Sequence, residues 1–236
     1  MRARTETVLR ERVVRVREDV AAALERSGRS KSDEVRILVA AKYFEPAQIS
    51  VLEDSGVDLL GENTAQDLAR KQEIFGDRFE WHFIGHLQRR KAKVVVPRVS
   101  LIHSVDSVRL IRELAKRAPS FGAVEVLFQV NIVGEDTKYG VPEDGLEALL
   151  EAAAGTGGKV RAKGLMTLAP LVEDPEDVRY VFAKLRAIRD RLRRIWSPHF
   201  DLSELSMGMS GDYEVAVEEG ATLVRIGRTL MGEDGP

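Results

Sequence analysis

The chain has 236 residues with 36 basic and 38 acidic side chains, a formal charge of −2, and 44% hydrophobic residues. That is enough for one large α/β domain or two small ones, and the charge balance gives no global attraction for nucleic acid or an acidic membrane. There is no cysteine, which excludes disulfides, thiolate chemistry and cysteine metal sites and suits a reducing compartment. No apolar run approaches the ~20 residues of a membrane span and no apolar signal core opens the chain, so a cytoplasmic protein is expected.

The first element is a helix from about Arg4 to Ser27, because Leu9, Val13, Val16, Val20 and Leu24 recur at three- and four-residue spacing and Gly28 ends it. Short apolar runs then alternate with amphipathic stretches. The runs read as strands over 35–41, 57–60, 80–84, 100–103, 124–132, 160–168, 205–207 and 223–226. Helix-like segments lie near 46–55, 64–74, 88–96, 107–118, 143–154, 175–196 and 211–219. Asp174-Pro175 is a clear helix start, with Asp as cap and Pro in the first turn. Eight strands alternating with helices predict a single (β/α)8 TIM-type barrel over 1–236, and a doubly wound open sheet is the alternative. The barrel is favoured because little chain follows the last strand, so the N-terminal helix is available to complete the outer ring.

Active residues of such a barrel gather at the C-terminal ends of its strands. Strand one closes on Lys42 after Val35-Arg-Ile-Leu-Val-Ala-Ala. A lysine desolvated at the end of a buried strand has a lowered pKa and a nucleophilic amine suited to a Schiff base, whereas the simpler reading is a side chain snorkelling to water. The other ends bring Glu62-Asn63, His86, Ser104 with Asp106, Gln129 with Asn131, Met166-Thr167, Ser206 to Ser210, and Arg225 with Gly227. No carboxylate pair for glycoside chemistry and no metal-spaced histidine cluster is evident. Small residues at the ends of strands seven and eight (Ser206, Gly208, Ser210, Gly227, Thr229) suit a phosphate. Singly they are ordinary turns, but with Lys42 and Arg225 they read as a lysine–arginine–phosphate arrangement. Arg89, Arg90, Lys91 and Lys93 read as a solvated basic face, Met207 and Met209 as packing, and His82 and His103 as hydrogen-bonded residues within strands rather than bases.

The segments Ile37-Leu-Val-Ala-Ala-Lys42, Gly61-Glu-Asn63, Trp81-His-Phe-Ile-Gly-His-Leu-Gln88, Ile102-His-Ser-Val-Asp106, Gln129-Val-Asn131, Gly164-Leu-Met-Thr167, Leu205-Ser-Met-Gly-Met-Ser210 and Val224-Arg-Ile-Gly227 occur in this order over nearly the whole chain. In these it resembles the YggS/PROSC family of pyridoxal phosphate homeostasis proteins, whose barrel is similar to that of alanine racemase. The resemblance implies pyridoxal 5′-phosphate (PLP) as cofactor, attached as a Schiff base on Lys42, with Arg225 at the pyridine nitrogen. Ser206, Ser210, Gly227 and adjoining amides would hold the phosphate, and Asn63 would lie beside the ring. The full cofactor-binding set so implied is Lys42, Asn63, His86, Met166, Ser206, Met207, Gly208, Ser210, Arg225, Gly227, Arg228 and Thr229. Lys138 matches a family lysine near the pocket mouth that would act as a secondary aldehyde acceptor.

The chain departs from the family pattern at Ala41, at Tyr43-Phe44, at Gln88-Arg-Arg-Lys91 and at Arg228. The expected role is a monomeric, non-catalytic carrier that holds PLP and passes it to PLP-dependent apoenzymes, with a PLP-dependent amino-acid racemase as the alternative. Racemases of this barrel type use a second domain for a tyrosine base, and this sequence has no further residues from which to build one. An arginine at the pyridine nitrogen also leaves the ring a weaker electron sink, although alanine racemase uses the same device.

Overall fold

A computed structural model describes residues 2–30, 33–134 and 139–232. The elements in order are α1 (Arg2–Arg26), β1 (Arg36–Ala40), α2 (Pro46–Asp54), β2 (Leu59–Glu62), α3 (Ala65–Phe75), β3 (Glu80–Phe83), α4 (Ala92–Val95), β4 (Leu101–Val105), α5 (Val108–Arg117), β5 (Val124–Gln129), α6 (Leu146–Ala154), β6 (Val160–Met166), α7 (Arg179–Trp196), β7 (Glu204–Met209), α8 (Tyr213–Glu218), β8 (Leu223–Ile226) and α9 (Arg228–Met231). The strands pair in sequence order, all parallel, and β8 pairs back on β1, so the sheet is the closed barrel that the alternation predicts.

Alternation along each strand sorts side chains between two cores. Val39, Leu60, Ile102, Phe128, Leu165, Leu205 and Val224 face outward and pack with the helices into one continuous cluster. Facing inward, Leu38, Leu59 and Leu223 pack with Ile84 on one side of the lumen, and Leu101, Leu127 and Met166 pack on the other. Between these two clusters the lumen is polar.

Helix α1 buries Leu9, Val13, Val16, Val20 and Ala23 and lies against α2, α8 and α9. Polar groups fix its register: Arg17 donates to the carbonyls of Ser55 and Gly56, Arg12 to that of Leu230, and Tyr213 to Asp19. It completes the outer ring as expected.

The helices near 88–96 and 175–196 differ from the sequence reading. Over 88–96 only Ala92–Val95 is α-helical, flanked by 3-10 turns at Arg89–Lys91 and Val96–Arg98. Three adjacent cations followed by three valines and Pro97 make a poor helix. At Pro175 the cap forms as expected, with Asp174 accepting from the Glu176 amide, but the first turn is 3-10 and the α-helix starts at Arg179. Among the described residues no helix is long and apolar enough to cross a membrane.

Gly164 pairs with Glu204 across β6 and β7, and a Cβ there would lie 1.9 Å from the Glu204 carbonyl oxygen. Gly164→Ala is therefore expected to destabilise by more than the ~1–3 kcal/mol of ordinary overpacking, read as a lowered urea midpoint.

Candidate functional site

The C-terminal mouth of the barrel is organised around a turn. Strand β1 stops at Ala40, and Ala41–Tyr43 form one turn of 3-10 helix closed by the Phe44 amide on the Ala41 carbonyl at 3.0 Å. Ala41 is buried, but Lys42 is exposed. This corrects the expectation of a desolvated lysine: the strand ends at Ala40, one residue early, and the turn lifts the side chain out of the core. Its Nζ sits 4.6 Å from the centroid of the Tyr43 ring, a cation–π distance.

A lysine the sequence reading passed over holds that turn in place. Lys71 of α3 is 3% exposed. Its Nζ donates to the Ala41 carbonyl at 2.5 Å and to Glu62 Oε1 at 2.6 Å. Glu62, fully buried at the end of β2, accepts the Asn63 amide on its other oxygen at 3.0 Å. One buried ion pair thus fixes the residue before Lys42 and the backbone of Asn63. Its signal was legible: Lys71 falls three residues after Leu68 and four before Phe75, inside the apolar stripe of α3. The side-chain Oδ1 of Asn63 is buried and has no hydrogen-bond partner, as expected for an acceptor that waits for a ligand.

Arg225 of β8 is 5% exposed. Its Nη1 donates to Ser206 Oγ at 2.6 Å and its Nη2 to the Thr167 carbonyl at 2.9 Å. A guanidinium has five N–H donors, so these two bonds leave others for an acceptor in the mouth. Burial lowers its pKa to about 10, with Asp212 opposing the shift, so it is cationic at neutral pH.

Beyond β7 and β8, Ser210 Oγ accepts from the amides of Gly227 at 3.3 Å and Thr229 at 3.2 Å, and Thr229 Oγ1 donates to the Ser210 carbonyl. Gly208 has φ +92°, and a Cβ on it would meet Ala216 at 2.6 Å. A Cβ on Gly227 would lie 2.5 Å from the Tyr43 ring. The β8 end therefore approaches the Lys42 turn closely enough that only glycine fits.

Lys42, Asn63, Arg225, Ser210, Gly227 and Thr229 all lie at this mouth, and the partly buried Arg228 sits between the last two. Four expected site residues are placed differently. The hydroxyl of Ser206 is committed to Arg225 and, at 2.9 Å, to His103 inside the lumen. Met207 points outward into the core beneath the helices, so only its backbone serves the mouth. His86 stacks on Tyr139 with ring centroids 4.0 Å apart and pairs with Asp106 at 3.7 Å, on the β3–β5 side. Met166 is buried in the lumen beneath the mouth. Lys138 lies outside the described residues.

The fold is the one seen in alanine racemase from Corynebacterium glutamicum, which matches with a TM-score of 0.68 at 11% identity over 96% of this chain and 60% of that one. Nearer relatives narrow this. The chain is 45% identical over 225 residues to the pyridoxal phosphate homeostasis protein of Aquifex aeolicus, covering 94% of this chain and 97% of the relative. It is 33% identical over 225 residues to that of Escherichia coli K12, with coverages of 93% and 94%. PipY of Synechococcus elongatus, solved with PLP bound, matches with a TM-score of 0.81 and 30% identity over 94% of this chain and 99% of that one. No family model matches the chain. The chain belongs to the family of pyridoxal phosphate homeostasis proteins.

Lys71→Met is expected to cost about 3–5 kcal/mol because it strands a buried carboxylate, and Lys71→Met with Glu62→Leu should recover much of that loss. Urea unfolding of both variants checks it. His82 and His103 are held below the ordinary histidine pKa of 6.5, chiefly by burial. Below that value the unfolded chain binds protons that the folded chain does not, so these groups reduce stability as pH falls, by up to ~1.4 kcal/mol per pH unit each. Asp106 and Asp212, raised by burial, act in the opposite sense. The histidine contribution is therefore read directly, by an NMR titration in which His82 and His103 stay neutral where an ordinary histidine titrates.

Proposed function

We propose that the chain binds PLP at the C-terminal mouth through a Schiff base on Lys42 and supplies or buffers the cofactor for PLP-dependent enzymes without turning over amino acids itself. The observation that carries this reading is the convergence of four different groups on one mouth. These are the solvent-facing amine of Lys42, the buried donors of Arg225, the unpartnered Asn63 Oδ1 and the Gly227–Thr229 amides around Ser210. A small molecule with an aldehyde, a ring nitrogen and a phosphate suits that set. Support also comes from PipY, whose structure holds PLP.

Each residue has a task that follows from its chemistry. Lys42 supplies the amine that condenses with an aldehyde as water leaves, and its exposure keeps it open to exchange with an incoming amine. Arg225 stays protonated and donates to a ring nitrogen, which remains an acceptor. Asn63, held by the Glu62–Lys71 pair, offers a polar side chain beside the turn. The amides of Gly227 and Thr229 donate to phosphate oxygens, and Arg228 between them adds a cation to that side of the mouth. The cofactor, when bound, supplies a reactive carbonyl conjugated to an electron-accepting ring.

Support for a carrier comes from the tyrosines, the side chains a racemase of this fold would use as base. Tyr43 lies against Lys42 and Gly227, Tyr139 stacks on His86, Tyr213 donates to Asp19, and Tyr180 is exposed in the first turn of α7. Closure of the barrel within one chain supports a monomer, and the lack of cysteine suits the cytoplasm. The proposal extends to transient contact with PLP-dependent apoenzymes.

Mixing the protein with PLP is expected to produce a long-wavelength Schiff-base absorbance band that Lys42→Ala abolishes. Arg225→Ala should shift that band or weaken binding while the far-ultraviolet circular dichroism is retained. Robust Lys42-dependent racemisation or transamination would overturn the non-catalytic half of the reading, and the absence of a band in the wild type would overturn the whole.

A further inference from the structure

The polar side of the lumen is a single file of hydrogen bonds. From Arg225 it runs to Ser206 Oγ at 2.6 Å, from Ser206 to His103 Nδ1 at 2.9 Å, from His103 Nε2 to His82 Nδ1 at 2.9 Å, and from His82 Nε2 to Glu80 Oε1 at 2.9 Å. It crosses the barrel from β8 and β7 to β4 and β3, between the two apolar clusters. Its members from Arg225 to His82 are buried, whereas Glu80 opens β3 at the N-terminal mouth and is 38% exposed, paired with Arg36 at 2.5 Å.

The two ends fix the direction of every bond. An ionised carboxylate only accepts and a guanidinium only donates, while a neutral imidazole has one donor and one acceptor. His82 must then donate from Nε2 to Glu80 and accept at Nδ1. That acceptance obliges His103 to donate from Nε2 and to accept at Nδ1 from the Ser206 hydroxyl, whose oxygen takes the Arg225 N–H. All four bonds point from Arg225 toward Glu80, and both histidines carry their proton on Nε2. A charge at one mouth of the barrel is thereby connected to the guanidinium at the other by dipoles of a single orientation, which strengthen one another where the side chains are buried.

We propose that Glu80, through His82, His103 and Ser206, is a positioning residue that orients Arg225 and sets how strongly it donates to the ligand ring at the opposite mouth. The proposal rests on the PLP reading above, deepening it by assigning part of the control of cofactor affinity and spectrum to a carboxylate across the barrel. Glu80→Gln keeps the shape but removes the obligate acceptor, since its amide can donate to His82 and reverse the file. Ser206 would then receive two N–H groups and its own proton would lose its partner.

The test has two readouts, one without cofactor. In the 15N-labelled protein without PLP, two-bond proton–nitrogen spectra of the imidazoles should show His82 and His103 as neutral Nε2–H tautomers, and Glu80→Gln should change at least His82. In the PLP-loaded protein, Glu80→Gln should shift the absorbance band and weaken binding about tenfold, as outer hydrogen-bond partners of bound groups do. Arg36→Gln breaks the ion pair at the same mouth but leaves the file intact, so it should leave the band unchanged. Should Glu80→Gln fail to fold, Ser206→Ala decides: it should shift the band while His82 keeps its tautomer. Nδ1–H or mixed tautomers in the wild type, or a band and affinity in Glu80→Gln equal to the wild type, would overturn the proposal. A wild type that shows the tautomers but binds no PLP would instead remove the functional reading beneath it.

Discussion

Everything at the C-terminal mouth depends on an ammonium and a carboxylate that have both been taken out of water. Lys71 and Glu62 are almost wholly buried, and desolvating two charges costs more than their attraction alone returns unless the remaining donors and acceptors are also satisfied. Here they are: Lys71 reaches the Ala41 carbonyl, and Glu62 takes the Asn63 amide. The pair joins α3, the end of β2 and the turn after β1, so three segments share one anchor. Its contribution is better described as geometric definition than as net stability. A hydrophobic pair of the same volume could hold the helix, but it could not tell the Ala41 carbonyl where to point.

The same division between holding and pointing runs through the lumen. Leucines on two sides fill space without direction, while the histidine file between them is directional and places a permanently charged guanidinium where a leucine would pack at less cost. Among the described residues no carboxylate lies at hydrogen-bond distance from Arg225, and Asn63 Oδ1 has no partner. An unsatisfied buried polar group costs about 1–3 kcal/mol. Asn63 Oδ1 carries such a loss at the C-terminal mouth, where stability yields to binding; Ser104 Oγ in β4 and Trp196 Nε1 at the end of α7 are likewise buried without a partner.

The architecture was legible in the sequence because period-two and period-3.6 patterns are local. All eight strands and the covering helix α1 lie where those patterns put them, with ends shifted by a few residues. The segment near 88–96 misled because its apolar spacing is helical while its valines and Pro97 are not. Lys42, Asn63, Arg225 and the Ser210–Gly227 region were legible from their positions at strand ends. Two things were not. The exposure of Lys42 depends on a single 3-10 turn, which a run of apolar letters cannot reveal. The commitment of Ser206 to His103 depends on a contact across the lumen between residues 103 positions apart, and strand alternation says which way a side chain points but not whom it meets.

The Ser210 hydroxyl already occupies the amides of Gly227 and Thr229, and this bears on how firmly an anion can be kept. A guest that finds bare donors gains the full value of each new bond. A guest that must first dislodge a resident oxygen gains only the difference between two acceptors, and the resident stands ready to return. Such a seat is never empty in the energetic sense, so vacating it carries little penalty. Under the carrier role proposed above, a low cost of departure is as useful as a high affinity.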